Sequence, residues 1–439
     1  MTSTRISIAA LALMLAAWSA PGRLCAQGTT TPDTIRLTLA EAQRLSLQRN
    51  PAFLADAEER AIARGELRQA HALLPNPHLE IEGPGAATDG GFSRYEAALS
   101  QEIEWAGQRG LRIDAAESGV RRAAQLVRDA ARLTLADASV AYYAAVAAAR
   151  RLDVVEEIFD SNQRLLAAVR TQVSEGEISA LEGSLAEIEV ARARARVLSA
   201  RRDARSAELA LKRAIGLAPN AAIRLDDELT DVPPQASLQP DSLVQLALER
   251  RPDLAARSAA VAQLQASTRL ARREAMPNVE ISSLIERDEA SGETRFGIGV
   301  GLPFPIWNRN QGTAASLRAQ AQQAGWSRQA IELRIRSEVA DAYQAYVTAS
   351  EEAEIFERDV LQPAQQNQQL LEIAYREGKI DLPALLLLRN QLLDAELSYW
   401  DAWLARRESM VELESATASI GAGLLESFLD SSIEREGGR

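Results

Sequence analysis

Apolar and polar positions along this chain follow two periods, and the order of the periods repeats. Long Ala-rich runs at helical spacing give way to short stretches of strict alternation, which give way to helix again. The first alternation sets Leu79 and Ile81 against His78, Glu80 and Glu82. A loop from Gly83 to Gly91 follows. Beyond it, Tyr95, Ala97, Leu99, Gln101, Ile103 and Trp105 form one face, and Arg94, Glu96, Ala98, Ser100, Glu102 and Glu104 the other. This predicts a β-hairpin over 78–105. Further on, Val279, Ile281, Ser283 and Ile285 alternate with Glu280, Ser282, Leu284 and Glu286. After a loop, Phe296, Ile298, Val300 and Leu302 alternate with Arg295, Gly297, Gly299 and Gly301. This predicts a second hairpin over 279–303.

The helical runs carry their own punctuation. Thr38, with Glu41 three residues on, is an N-cap. Asn50-Pro51 ends that first helix and starts another, which runs to about Leu74 and stops at Pro75-Asn76-Pro77. After each hairpin comes a long helix. One spans about Gln108 to Ser174 without a proline; the other spans about Gln311 to Arg376 with a kink expected at Pro363. At ~1.5 Å per residue each is about 100 Å long. Each ends at a glycine break, Val173-Ser174-Glu175-Gly176-Glu177 or Tyr375-Arg376-Glu377-Gly378-Lys379, and the chain turns back. Ser179 with Glu182 is a capping box, and Asp381 caps a helix with Pro383 in its first turn. The return helices reach about Ile215 and Ser419.

The spacings show a duplication. Gly176 and Gly378, Pro75-Asn76 and Pro277-Asn278, and Trp105 and Trp307 all lie 202 residues apart. The expected organisation is a leader over 1–26, a first copy over 27–216, a linker over 217–249, a second copy over 250–420 and a tail over 421–439. In the first copy the helix before the hairpin and the return helix together nearly match the long helix. Two short helices stacked end to end should therefore flank one long one.

Composition narrows the class. Hydrophobic residues make up 46% and aromatic residues 5%, with Ala and Leu prominent, which suits closely packed helices. A net charge of −12 and a pI near 5.0 argue against a nucleic-acid partner. Arg5 followed by the apolar run Ile6 to Ala17 reads as a secretion signal, with cleavage expected after Ala26. The single cysteine, Cys25, would leave with it. Arg23 and Leu24 before Cys25 do not suit lipid attachment. The mature chain would carry −14, since the signal removes Arg5 and Arg23 and no acid, and could form no disulfide. No later segment offers 18 uninterrupted apolar residues, which says nothing of a β-barrel.

Four strands of membrane-crossing length cannot close a barrel alone. Several copies must contribute, and three copies give twelve strands. Tyr95, Leu99, Ile103, Phe296, Ile298 and Val300 would then face lipid, and Glu80, Glu82, Glu96, Glu102, Glu280 and Glu286 a wet lumen. Trp105 and Trp307, at equivalent strand ends, would mark the membrane interface. The competing reading is a soluble scaffold whose hairpins pack on helices, with both Trp in a core.

The arrangement resembles the outer-membrane efflux protein family, the TolC-like channels. The residues that carry the likeness are Asn50-Pro51, Pro75-Asn76-Pro77, the run Ser100 to Arg109 (SQEIEWAGQR), Ala141-Tyr142-Tyr143 and the tip Tyr375 to Asp381. The Pro-Asn-Pro and Gln-Glu-Ile-Glu-Trp-Ala-Gly-Gln-Arg runs are most similar to the CzcC branch, which serves heavy-metal efflux. The likeness extends from about 38 to 420. It implies a mainly α fold of duplicated coiled-coil hairpins with a membrane β part: a homotrimer with a twelve-stranded barrel on a helical tunnel. The expected partners are a periplasmic adaptor and an inner-membrane pump of the resistance-nodulation-division type. Ser174, Glu175, Gly176, Glu177, Tyr375, Arg376, Glu377 and Gly378 would lie at the gate that meets them. Some relatives narrow the pore with aspartates past the second tip glycine; here Leu382 to Leu387 contain no acid. Drugs or secreted polypeptides are the alternative cargo.

No nucleophile, metal-ligand or phosphate-loop pattern occurs, so neither an enzyme nor a cofactor is expected. The two histidines, His71 and His78, flank Pro75-Asn76-Pro77 and read as solvated or lumen-facing. The charged runs Arg192 to Arg205 and Glu351 to Asp359 read as solvated helix faces, with partner contact as the other reading.

Overall fold

The computed structural model describes residues 35–73, 75–83, 94–226, 239–288, 291–421 and 423–424. The expected leader with Cys25, Leu74, nearly all of the first hairpin loop and most of the tail lie outside the described residues.

Strand β1 (Ile35–Leu37) leads into α1 (Leu39–Arg49), α2 (Pro51–Ala57) and α3 (Glu59–His71). Thr38 caps α1, its Oγ1 accepting the Glu41 N–H at 3.2 Å. The Glu41 side chain turns to Arg44 at 2.9 Å instead of closing a capping box. Asn50 caps α2 through Oδ1, 2.9 Å from the Ala52 N–H. The single helix expected over 50–74 is broken at Glu58. There the N–H bonds back three residues to Ala55 at 3.2 Å, tightening one turn between α2 and α3.

Strands β2 (His78–Glu82) and β3 (Arg94–Ile103) follow, then α4 (Gln108–Glu175), an unbroken helix of 68 residues, and α5 (Ala180–Ala214) returning along it. The expected capping box at Ser179 and Glu182 is present. The stretch 217–249, expected as a linker, holds strand β4 (Ile223–Leu225) and helix α6 (Pro240–Arg250). Pro240, within that expected linker, sits in the first turn of α6, where a missing N–H costs nothing. β4 pairs in parallel with β1, one Ile-Arg-Leu triplet against another.

The second copy supplies α7 (Pro252–Arg273), β5 (Val279–Asp288), β6 (Thr294–Gly301), α8 (Gln311–Ile355), α9 (Gln362–Arg376) and α10 (Leu382–Ala416). Between α8 and α9 lies a π-helical turn, Phe356–Leu361. Where a kink was expected at Pro363, the chain widens one turn just before the proline. The Gln362 N–H bonds to Glu357 O, five residues back.

The end-to-end stacking is observed. Both α3 and α5 pack on α4, and α7 and α10 pack on α8. At the join in the first copy, Asn50 Nδ2 donates to the last carbonyl of α5, Ala214 O, at 3.0 Å. The principal core lies at this level. Leu37, Phe53, Leu135, Tyr143, Leu211 and Trp403 are buried in one cluster contributed by both copies. Arg407 lies over the rings of Tyr143 and Trp403, at 5.7 and 5.4 Å.

Candidate functional site

The two hairpins form one sheet. β3 and β5 pair antiparallel over ten residues, Ile103 opposite Val279 and Arg94 opposite Asp288, giving the order β2-β3-β5-β6. Ten residues at ~3.4 Å span about 34 Å, enough to cross a bilayer when tilted. The register sorts the side chains. Leu79 and Leu99 face the same way as Ser283 and Ile298; Ile81 and Ala97 align with Ile285 and Phe296. On the opposite face Glu82, Glu96, Glu286 and Arg295 form one rung across all four strands, and Glu102 stands opposite Glu280. The six acids named from sequence therefore share one face, together with His78. The exception on that face is Leu284.

The apolar face is uncovered within the chain. Ile103 is 41% exposed and Val300 74%, with Tyr95, Leu99, Phe296 and Ile298 between them. No helix of the described residues is long and apolar enough to cross a membrane. β2 and β6 are edge strands, each with one side unpaired in the chain.

Below the sheet a set of polar side chains joins strands to helices. Trp105 Nε1 donates to Pro277 O at 2.9 Å, tying the first hairpin to the entry of the second. Gln108, 2% exposed, donates to Asn278 Oδ1 at 3.0 Å, and Asn278 Nδ2 donates to Glu102 at 2.9 Å. Glu104 has left the strand and holds Arg112 through both oxygens, at 2.5 and 2.9 Å. Arg109 clasps the His71 carbonyl that ends α3. Trp307, the sequence equivalent of Trp105, is 86% exposed. Sequence reasoning gave site roles to Trp105 and Glu102 but none to Gln108, Arg112 or Asn278. The duplicated Pro-Asn pair was the signal that could have found Asn278.

The far ends of the rods are built alike. Gly176 (φ 74°) and Gly378 (φ 67°) take left-handed conformations after α4 and α9. The Glu177 N–H bonds to Gln172 O at 2.9 Å and the Lys379 N–H to Ala374 O at 2.8 Å, the six-to-one closure of a Schellman motif. The two tips meet. Val169, Ala186, Leu382 and Leu385 form one buried cluster with Val173, Ile178, Tyr375 and Ile380 packed on it. Tyr375 is half-buried; burial first, then the nearby Glu182 carboxylate, pushes its hydroxyl pKa up. Ser174, Glu175, Glu177, Arg376 and Glu377 are all exposed around this contact. One turn further along, buried Arg389 holds Ser161 Oγ, and Glu372 at 2.9 Å. Burial lowers its pKa despite the Glu372 carboxylate.

A two-faced sheet with open edges, mounted on a helical rod about 100 Å long, is one protomer of a membrane conduit of the TolC-like architecture. The chain belongs to the outer membrane efflux protein family, whose profile matches residues 42–217 and 243–419, one match in each copy. It is similar to the cobalt-zinc-cadmium resistance protein CzcC of Cupriavidus metallidurans, 27% identical over 83% of this chain and 85% of that one. The nickel and cobalt resistance protein CnrC of the same organism is 29% identical over 70% of this chain and 72% of its own length. Among solved structures, CusC superposes with a TM-score of 0.72 at 20% identity, covering 88% of this chain and 92% of that one. VceC of Vibrio cholerae gives 0.72 at 18% identity, over 86% and 95%. The protein is an outer-membrane transport component that extends into the periplasm.

Proposed function

We propose that this chain is the exit duct of a tripartite efflux system for heavy-metal cations, working as a homotrimer with a periplasmic adaptor and an inner-membrane resistance-nodulation-division pump. The observation that carries the reading is the sheet, with its uncovered apolar face and unpaired β2 and β6 edges. Backbone groups at a sheet edge cannot be left in lipid, so β6 of one copy pairs with β2 of the next until the barrel closes. Three copies supply twelve strands. Tyr95, Leu99, Ile103, Phe296, Ile298 and Val300 face lipid, and Trp105 and Trp307 lie at the interface. Glu80, Glu82, Glu96, Glu102, Glu280 and Glu286 line the lumen.

The cargo assignment draws on the relatives named for cobalt, zinc, cadmium and nickel resistance and on the acidic rung, which concentrates cations without holding them. The metal is cargo. Among the described residues no group of three His, Cys, Asp or Glu is placed to hold an ion. The tip residues Ser174, Glu175, Gly176, Glu177, Tyr375, Arg376, Glu377 and Gly378 form the gate and the adaptor contact.

The test is deletion of the gene followed by growth on graded cobalt, zinc, cadmium and nickel, with complementation. Metal tolerance should fall and be restored by the wild-type chain. Unchanged metal tolerance with a lost drug tolerance overturns the cargo. Release of the protein from membranes by carbonate overturns the duct.

A further inference from the structure

We infer that neighbouring protomers are locked in register by a charged step in an otherwise apolar seam, where Arg202 and Arg205 of one copy meet Glu351 and Glu354 of the next. The inference rests on the trimeric reading above and goes beyond it by naming the contact.

Packing order comes first. α5 lies on α4, α4 on α10, and α10 on α8, the π turn and α9. Within one protomer the rods thus run α5, α4, α10, then α8 with α9. α5 is one lateral edge and the α8–α9 rod the other. When copies close into a ring, these two edges are the ones that meet.

Both edges carry a stripe suited to a helix partner. α5 buries Ala186, Ala193 and Val197 against its own neighbours. On its opposite side, Leu181, Ile188, Arg202 and Leu209 share one seven-residue phase, with Leu198 and Arg205 between them. Leu181 is 70% and Leu198 62% exposed, which a helix in water has no reason to repeat at coiled-coil spacing. α8 likewise buries Ile335, Val339 and Tyr346 inward. Its other side, continued into α9, presents Leu333, Ile355, Leu370 and Ile373, between 45% and 67% exposed.

Rotational symmetry then fixes the register. Rotation about the tunnel axis shifts nothing along it, so residues equally far from the tip glycines stand side by side. Leu181 lies 5 residues after Gly176, and Ile373 lies 5 before Gly378. Leu198 lies 22 after, and Ile355 lies 23 before. Arg202 and Arg205 lie 26 and 29 after, while Glu354 and Glu351 lie 24 and 27 before. At ~1.5 Å per residue these offsets amount to a helical turn or less. Leu181 therefore meets Ile373 and Leu198 meets Ile355, and the two arginines meet the two glutamates.

The charges are available for this. The side chains of Arg202 and Arg205 are 77% and 55% exposed, each touching one acid of its own helix, Asp203 at 2.9 Å and Glu208 at 2.8 Å. Glu351 and Glu354 are exposed. Before the ring closes, two copies joined by an apolar seam alone could slide by a heptad. Such a slide would set Arg202 and Arg205 against uncharged Val347 and Gln344 in one direction, or against Leu361 and Arg358 in the other, and strand both pairs.

The experiment uses the full chain in outer membranes. Leu198→Cys with Ile355→Cys should give a covalent ladder up to the trimer on mild oxidation, and neither single variant should. Leu198→Cys with Leu333→Cys, displaced by roughly 35 Å along the rods, should give none. Arg202→Glu with Arg205→Glu should lower the detergent-stable trimer at least fivefold, as should Glu351→Arg with Glu354→Arg, and all four together should restore most of it. A wild-type chain that is trimeric while the Leu198→Cys, Ile355→Cys chain forms no cross-link overturns the seam and leaves the duct standing, as does reversal of all four charges without recovery. A wild-type chain that is monomeric in mild detergent overturns both.

Discussion

The hydroxyl of Tyr375 lies 3.4 Å from Gln172 Oε1, to which it donates, and so links the tip of the second helical hairpin to the first. The contact joins residues separated by 203 positions, at the end of the rods proposed above as the gate. A neutral hydrogen bond of this kind stabilises by about 0.5–1.5 kcal/mol, a factor of roughly 2–10 in an equilibrium. Tyr375→Phe should raise closed-state leakage of the reconstituted channel by that factor. Gln172→Leu should match it, and the double variant should add little. Additive effects in a double-mutant cycle would show that the two residues act separately.

Glycine substitutions should divide by place. At Gly176 and Gly378 an added Cβ meets nothing within 4 Å, so only the left-handed backbone resists, at about 1–2 kcal/mol. Gly176→Ala and Gly378→Ala should lower the melting temperature modestly and leave trimers intact, while altering leakage or metal tolerance. At Gly216 (φ 70°) the added atom would lie 2.2 Å from Arg49 O, so backbone must move. Gly216→Ala should cost several times more in thermal unfolding. Equal shifts at 176 and 216 would refute the distinction.

Asp253 and Arg251 form a buried pair, 9% and 3% exposed, with guanidinium contacts of 2.8 and 3.1 Å and a further contact from Arg251 to Glu338. Burial alone would raise the Asp253 pKa, but the bonds and charge of Arg251 outweigh it and hold the group below the ordinary 3.8. A lowered carboxylate pKa contributes stability that is present above the unfolded value and lost as pH falls through the folded one. Asp253→Asn should destabilise by about 3 kcal/mol at pH 7. Its deficit relative to wild type should hold from pH 8 to about pH 5 and shrink below pH 3.8. A deficit independent of pH in melting curves would refute the pairing.

The sheet faces can be separated by matched substitutions. Ile298→Arg places a charge on the exposed apolar face, at about 2–4 kcal/mol near mid-membrane. Gly297→Ser is the opposite-face control, since its Cβ would meet Leu284 at an ordinary 3.9 Å. Position 299 is less suitable, because a Cβ there would press on Ser282 Oγ at 2.5 Å. Outer-membrane yield should collapse for the first and persist for the second.

The two tryptophans should respond differently. Trp105→Phe keeps the ring but loses the bond to Pro277 O, at about 1 kcal/mol. Trp307→Phe, at an 86% exposed site, should change trimer melting little.

Local chemistry in this chain was readable. Thr38, Ser179 and Asp381 cap helices as their side chains dictate, and Gly176 and Gly378 end them. Alternation placed β3 and β5 almost to the residue, because an uncovered sheet must sort its two faces. The break at Glu58 carries no composition signal, since it arises from one tightened hydrogen bond. α6 was obscured because Pro240 begins a helix as readily as it ends one. The π turn ahead of Pro363 depends on how a long rod absorbs a missing donor while staying packed on α10.

The sequence by itself determined the duplication, the rod lengths, the glycine tips and the two-sided character of the strands, because these follow from periodicity and backbone preference within a few residues. Only the tertiary structure decided that β3 pairs with β5 to make one sheet. It alone set Glu82, Glu96, Glu286 and Arg295 in one rung, tied Trp105 and not Trp307 across the joint, and brought Tyr375 to Gln172. Those relationships join residues from different copies of the repeat. Register between distant segments is fixed by packing and hydrogen bonding across the fold, which local patterns do not encode.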